Sequence, residues 1–250
     1  MNLADITPVI LTLDEGPNLP RTLAALSWAR QIVIVDSGSA DGSLEPLRAD
    51  PRVRIMTRAF DSFARQWSHA LDHVRTPYTL TLDADYVLTP ELSDEIAALD
   101  ATSADGWTAE FIYCVDGHPL SASLLPPRLV LYRTGVVSYV EDGHAQREIA
   151  PPRVAALSGR ILHDDRKPAS RWRVAQARYA QQEADKLARC AWRDLSWPDR
   201  MRRLLLGPAL VVPYCLFAKG LILDGRAGLA YTYQRFYAEA LLWARLVFGS

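Results

Sequence analysis

Four short runs of apolar, mostly β-branched residues, PVILTL at 8–13, QIVIV at 31–35, VRIM at 53–56 and YTLTL at 78–82, recur between stretches of helical spacing. This alternation limits the fold more than any other feature of the chain. Runs that are apolar on both faces belong to a parallel sheet covered by helices on either side. Asn18 and Pro20 open a helical pattern through Leu23, Leu26 and Trp28, residues 63–74 can form a second helix, and Thr89–Pro90 supplies an N-cap and a first-turn proline for another. The order is βαβαβαβα, and the class is α/β. In such sheets ligands bind beyond the carboxyl ends of the strands. Runs one, two and four end in Asp14–Glu15, Asp36–Ser37–Gly38–Ser39 and Asp83–Ala84–Asp85, so a parallel sheet gathers these polar clusters along one edge as a nucleotide-type crevice.

Beyond about residue 106 the pattern changes. WTAEFIYCV and RLVLYR read as added, partly antiparallel strands, SYVEDGHAQRE reads as a loop, and Pro126–Pro127 and Pro151–Pro152 punctuate them. From Ser170 to Ala191 the positions Val174, Ala177, Ala180, Ala184, Leu187 and Ala191 make the apolar face of an amphipathic helix. The run LLLGPALVVPYCLFA at 204–218 is free of charge, but it is shorter than the roughly 20 residues a span needs and contains Pro208 and Pro213. Arg200, Arg202 and Arg203 precede it and Lys219 and Arg226 follow, a pattern suited to an anionic membrane surface; the alternative is a helix pair closing a core. The net charge of −1 conceals an asymmetry: residues 1–159 hold 12 basic against 21 acidic side chains, and 160–250 hold 16 against 8. The expected division is a catalytic domain over 1–160 and a basic helical extension over 161–250.

Composition removes several classes. With 49% hydrophobic and 23% charged residues, the 250-residue chain is neither disordered nor polytopic. Cys114, Cys190 and Cys215 lie far apart, which excludes a disulfide scaffold and a zinc ribbon and suits a reducing compartment. The opening MNLADITPVILTL has no basic n-region and does not read as a secretory signal, so the expected location is cytoplasmic, peripheral on the cytoplasmic face of an inner membrane.

Asp83–Ala84–Asp85 is the sharpest chemical feature. Two carboxylates one residue apart at a strand end suit a hard divalent cation, which in turn neutralises a diphosphate. In combination, LTLDEGPNLPRTLAALSWARQIVIVDSGSADGS followed by YTLTLDADYVLTPEL resembles the start of family 2 glycosyltransferases, above all the small glycosyltransferases of lipopolysaccharide core assembly. RLVLYR, His144, the ILH that contains His163 and GLILDGRAGLAYTYQRFYAEALLWARL are similar as well. The resemblance implies a GT-A (Rossmann-like), mostly parallel sheet flanked by helices. It also implies inverting transfer from a nucleotide-sugar, UDP-linked, to a hydroxyl of a saccharide or lipid-linked acceptor, with Mg²⁺ or Mn²⁺ as cofactor. Carried onto this chain, Thr12 and Glu15 sit at the nucleoside and Asp36 at the base, with Ser37, Gly38 and Gln66 completing the donor pocket. Asp83 and Asp85 take ribose and metal, Asp85 being the direct ligand. Asp142 is the general base, a role that Glu141 or His144 fills if the loop turns differently. The chain departs from the family in three places: Asp14 stands for Asn, Trp67 and Ser68 for Arg and Asn, and Gly143–His144–Ala145 for Val-His-Glu.

Other readings compete. LTLDADYVLT also resembles the haloacid dehalogenase phosphatases, with Asp83 as phosphoryl acceptor and Asp85 as acid/base. That motif ends the first strand of its domain, whereas three strand-like runs precede it here, and only Lys167, Lys186 and Lys219 could supply the lysine. A degenerate, membrane-associated binding subunit is the non-enzymatic alternative. No nucleic-acid reader motif and no Gly-x-Gly-x-x-Gly after the first run are present. His163–Asp164–Asp165 is a further candidate for a metal or diphosphate contact, against the commoner reading of a strand-closing histidine with two exposed aspartates, and Trp172, Trp192 and Trp197 are candidates for sugar stacking, against the commoner reading as packing residues.

Overall fold

The structure is a computed structural model that describes residues 1–142 and 145–249; the side chains of Asp142, Ala145, Gln146 and Arg147 lie outside that description. The chain divides into two compact units, one made of residues 1–113 and 124–166, the other of 114–123 and 167–250.

The first unit is built on β1 (Ile6–Thr12), α1 (Leu19–Ala25), β2 (Ile32–Asp36), β3 (Val53–Thr57), α2 (Phe63–Leu71), β4 (Tyr78–Asp83), β5 (Tyr86–Leu88) and α3 (Pro90–Ala98). These are followed in the chain by β6 (Gly106–Val115), whose last two residues belong with the short β7 (His118–Pro119) to the second unit, and then by β8 (Arg128–Arg133), β9 (Ser138–Asp142), β10 (Ala145–Ile149) and β11 (Val154–His163) of the first. The main sheet runs β3-β2-β1-β4-β8-β6-β11-β5. Its first four strands are parallel, β8 is antiparallel to both β4 and β6, and β5 is antiparallel to β11. The expected added strands are therefore present. The SYVEDGHAQRE segment differs from its expected loop: β9 and β10 pair antiparallel in a sheet of their own.

The apolar runs are buried for the reason their pattern implies. Every residue of β2 is buried, and successive side chains point to opposite faces of the sheet. Ile32 and Ile34, with Ile6 and Ile10 of β1 and Leu80 and Leu82 of β4, meet Leu19 and Leu23 of α1 and Leu92 and Ile96 of α3. Val33 and Val35, with Val9, meet Ala64, Trp67 and Ala70 of α2 on the other side. Caps fix where the helices start. Ser62 accepts a hydrogen bond from the Arg65 amide at α2, and Thr89 accepts from the Leu92 amide at α3 ahead of Pro90.

The second unit is helical: α4 (Ala169–Arg189), α5 (Trp197–Arg203), α6 (Gly207–Pro213), a wider π-type turn over Tyr214–Ala218 and α7 (Gly225–Phe248). Ala180, Ala184 and Leu187 of α4 pack with Leu195 and Leu242. The expected apolar face of α4 is thus buried only in its second half, and Val174 is exposed. Arg202 and Glu239 form a largely buried ion pair at 2.8 Å. Ser121 donates to Asp224 through both its amide and its hydroxyl, tying the 114–123 segment to the helices of its own unit. No single helix among the described residues is long and apolar enough to cross a membrane.

Candidate active site

The parallel register sets the site. Thr12 at the end of β1 pairs with Asp36 at the end of β2, and the preceding Leu11 pairs with Asp83 at the end of β4. Three neighbouring strands thus end within one residue of the same level, across about 10 Å. The Thr12 hydroxyl is buried and has no hydrogen-bond partner among the described residues, so a polar group at this edge has its bonding capacity unused.

The loops after β1 and β2 are stitched together. Asp36 is buried, and its carboxylate accepts from the Gly38 and Ser39 amides and the Ser39 hydroxyl, which holds Gly38 at a φ of 103°. The Ser39 hydroxyl in turn accepts from the Asp14 amide, and Asp14 accepts from the Ala40 amide at 2.7 Å. The Ser37 amide donates to the Thr12 carbonyl. Gln66 of α2 is buried and donates to the Ser37 hydroxyl and the Arg58 carbonyl, while its own carbonyl accepts from the Arg58 guanidinium. Ser37, Gly38, Asp36 and Gln66 therefore form one rigid turn beside Thr12. Glu15 stands at the mouth of α1, where it accepts from Asn18.

Asp83 and Asp85 flank the buried Ala84. The Arg128 guanidinium from β8 lies 3.9 Å from Asp83 and 3.3 Å from Glu148, and donates to the Tyr86 hydroxyl. Desolvation raises the Asp83 carboxyl above its ordinary value and the charge of Asp85 adds to this, although Arg128 opposes it. Asp85 is 3.2 Å from the His163 imidazole, which lies edge-on to Tyr86 and Tyr113. Burial alone would lower the His163 value, but Asp85 and then Asp83 outweigh it and hold the ring above its ordinary value. The carboxylates fit a hard divalent ion by donor type. Among the described residues no cluster of three metal-ligating side chains forms, so such an ion would need oxygens of a bound phosphate and water to complete its shell.

The expected general-base residues are placed unequally. Glu141 is exposed on β9; the side chain of Asp142 and the whole of His144, with Gly143, lie outside the described residues. Trp67 is buried and stacked on Tyr139 at 5.6 Å, and Ser68 donates to the Ala64 carbonyl of its own helix. Trp67 and Tyr139 line a narrow recess with Asp83, Tyr86, Arg128 and Glu148.

A second network was not expected from the sequence. Asn18 is fully buried; it donates to Glu15 and Asp165 and accepts from Arg21 and the Arg166 amide. Arg21 and Arg166 both pair with Asp164, at 2.6 and 2.7 Å. Asp164 is therefore buried rather than exposed, because two guanidinium groups compensate its charge. The network joins the start of α1 to the end of β11, and with it the Glu15 loop to His163.

Residues 8–124 match the family model described as Glycosyl transferase family 2. That segment is a family 2 glycosyltransferase domain. The lipopolysaccharide core biosynthesis glycosyltransferase LpsC of Rhizobium meliloti (strain 1021) is 31% identical over 108 residues, a match that spans 41% of this chain and 40% of LpsC. Among solved structures, the mannosyltransferase PcManGT of Pyrobaculum calidifontis, in complex with GDP-Man and Mn²⁺, aligns over 98% of this chain and 88% of its own with a TM-score of 0.54 at 15% identity. TarS 1-349 of S. aureus, in complex with UDP-GlcNAc, aligns over 96% and 89% with a TM-score of 0.53 at 15% identity. The glycosyltransferase domain has the GT-A fold, as its sequence resemblance implies.

Proposed function

We propose that this protein is a metal-dependent, inverting glycosyltransferase that moves a sugar from a UDP-linked donor to a hydroxyl of a saccharide or glycolipid acceptor in lipopolysaccharide core or cell-envelope glycan synthesis. The observation that carries the reading is the alignment of Thr12, Asp36 and Asp83–Ala84–Asp85 at three adjacent strand ends inside a family 2 domain. The complexes of PcManGT with GDP-Man and Mn²⁺ and of TarS with UDP-GlcNAc support the donor class, and LpsC supports the acceptor class. Asp85 and Asp83 would hold Mg²⁺ or Mn²⁺, which would supply positive charge against the leaving nucleoside diphosphate. Thr12 offers its unpaired hydroxyl to the nucleoside, and the turn built on Asp36, Ser37 and Gly38, braced by Gln66 of α2, keeps the pocket wall from yielding. Asp142 takes the proton of the acceptor hydroxyl as the new C1–O bond forms; Glu141 and His144 are the neighbouring groups for the same task.

Because the protein supplies two carboxylates rather than a closed cage, metal and diphosphate must bind together. Calorimetry should find UDP binding strengthened at least about tenfold by Mn²⁺, and Mn²⁺ binding strengthened by UDP by the same factor, as reciprocal coupling requires. Asp85→Ala should remove that dependence while circular dichroism stays unchanged. Equal UDP affinity with and without metal in the wild type, or an unaltered response in Asp85→Ala, would refute the metal assignment.

A further inference from the structure

Besides its buried apolar core, the helical unit presents apolar stripes on its outer face. Along α6 and the following turn, Leu206, Ala209, Leu210, Pro213, Tyr214, Phe217 and Ala218 are exposed, and they recur at helical spacing as one stripe without a charge. The opposite stripe, Gly207 and Cys215, is the buried one. α7 carries a similar exposed apolar stripe. Leu229, Tyr233, Phe236, Trp243 and Val247 face outward at the same period, while Gly228, Tyr231, Thr232, Glu239 and Leu242 are buried on the other side. Among the described residues, seventeen of the twenty-two exposed large hydrophobic side chains belong to this unit, including Phe217 at 68% and Leu223 at 87% exposure. Water disfavours such stripes, and monomeric soluble domains rarely present them.

The charge around the stripes indicates what covers them. Arg200 and Arg203 stand before the apolar segment and Lys219 and Arg226 after it, with the Lys219 ammonium 5.8 Å from the Tyr214 ring and the Arg200 guanidinium 5.7 Å from the exposed Trp192 ring. Of the nearby carboxylates, Asp199 and Glu239 are engaged by Arg202, and Asp224 by Ser121. Basic groups beside tyrosine and tryptophan, next to a charge-free stripe, match the headgroup level of a bilayer with anionic lipid. We propose that residues 204–223, continued by the outward face of α7, embed in one leaflet of an anionic membrane without crossing it, with Arg200, Arg203, Lys219 and Arg226 at the phosphates. The inference rests on the helical unit alone and is independent of the sugar-transfer reading.

Vesicle flotation of the full chain tests it. Phosphatidylcholine vesicles containing phosphatidylglycerol should carry the wild type to the top of the gradient, and pure phosphatidylcholine should carry less. The double variant Phe217→Glu, Leu223→Glu changes only exposed side chains, so its melting curve should match the wild type while its partition into the anionic vesicles falls about tenfold or more. Two results would overturn the proposal: folded wild type that stays in the aqueous fraction with both lipids, or equal flotation of the double variant. A wild-type dimer in sedimentation equilibrium that the double variant dissociates, with no flotation of either, would assign the face to a second copy of the chain instead.

Discussion

At the scale of single residues, Asp14 explains one departure from the family pattern. Its backbone lies in the left-handed region at a φ of 53°, where Asn and Asp are the side chains best tolerated after glycine. Its carboxylate accepts from the Ala40 amide, which Asn can also do through its carbonyl oxygen. The conformation, rather than the charge, is therefore what the position demands. Asp14→Asn should change stability by less than about 0.5 kcal/mol, whereas Asp14→Ala loses both the tolerance and the hydrogen bond and should cost about 2 kcal/mol in denaturant unfolding. Equal losses in the two variants would show that the charge matters after all. Asp36 carries a related lesson. Its place at a strand end was legible, but not that its carboxylate is already engaged by the Gly38 and Ser39 amides, because a turn's hydrogen bonds depend on backbone angles that residue types only bias.

At the scale of elements, β11 and α3 meet at a glycine. A Cβ on Gly159 would lie 2.6 Å from the Leu92 Cα and 2.8 Å from its Cβ, and the Glu95 carboxylate fixes the strand there by accepting from the Ser158 and Gly159 amides. The helix backbone cannot yield as a side-chain tip would. Gly159→Ala should therefore destabilise the domain by about 3 kcal/mol, read as a lowered thermal midpoint; a loss under about 0.5 kcal/mol would show that the two elements separate freely. Elements defined by local pattern were legible: β1 to β4, the Thr89 cap of α3 and the amphipathic α4 all follow from residues within a few positions of each other. What depends on distant partners was not. Asn18 meets Asp165 and Arg21 meets Asp164 across 147 and 143 positions, and no local signal marks Asp164 as buried. The β9–β10 pairing escaped for a different reason, since a short, largely polar hairpin carries little of the apolar alternation by which strands are recognised.

At the scale of the whole molecule, the interior of the glycosyltransferase domain makes its stability fall in alkali. Tyr132 and Tyr139 share a hydrogen bond at 3.2 Å beneath the site, and Tyr86 lies beside Asp83 at its edge. Burial pushes the Tyr139 phenol up to about 12 from the ordinary 10.0, and pushes Tyr132 and Tyr86 well above the same reference, Asp83 adding to the effect on Tyr86. In the unfolded chain these phenols lose their protons near pH 10, while in the folded protein they keep them. Above pH 10 the unfolded state therefore binds fewer protons, and the free energy of unfolding declines as pH rises. Each such tyrosine contributes a slope of up to roughly 1.4 kcal/mol per pH unit within its window, from 10 to about 12 for Tyr139. Thermal midpoints should hold steady up to about pH 9.5 and then fall steeply. Ultraviolet titration should show part of the phenolate absorbance appearing only with the unfolding transition, together with the near-ultraviolet dichroism change. If all the tyrosines ionise together near pH 10 while the protein stays folded, the ring of phenols under Asp83 is open to water, and the dry floor that the strand-end carboxylates stand on does not exist.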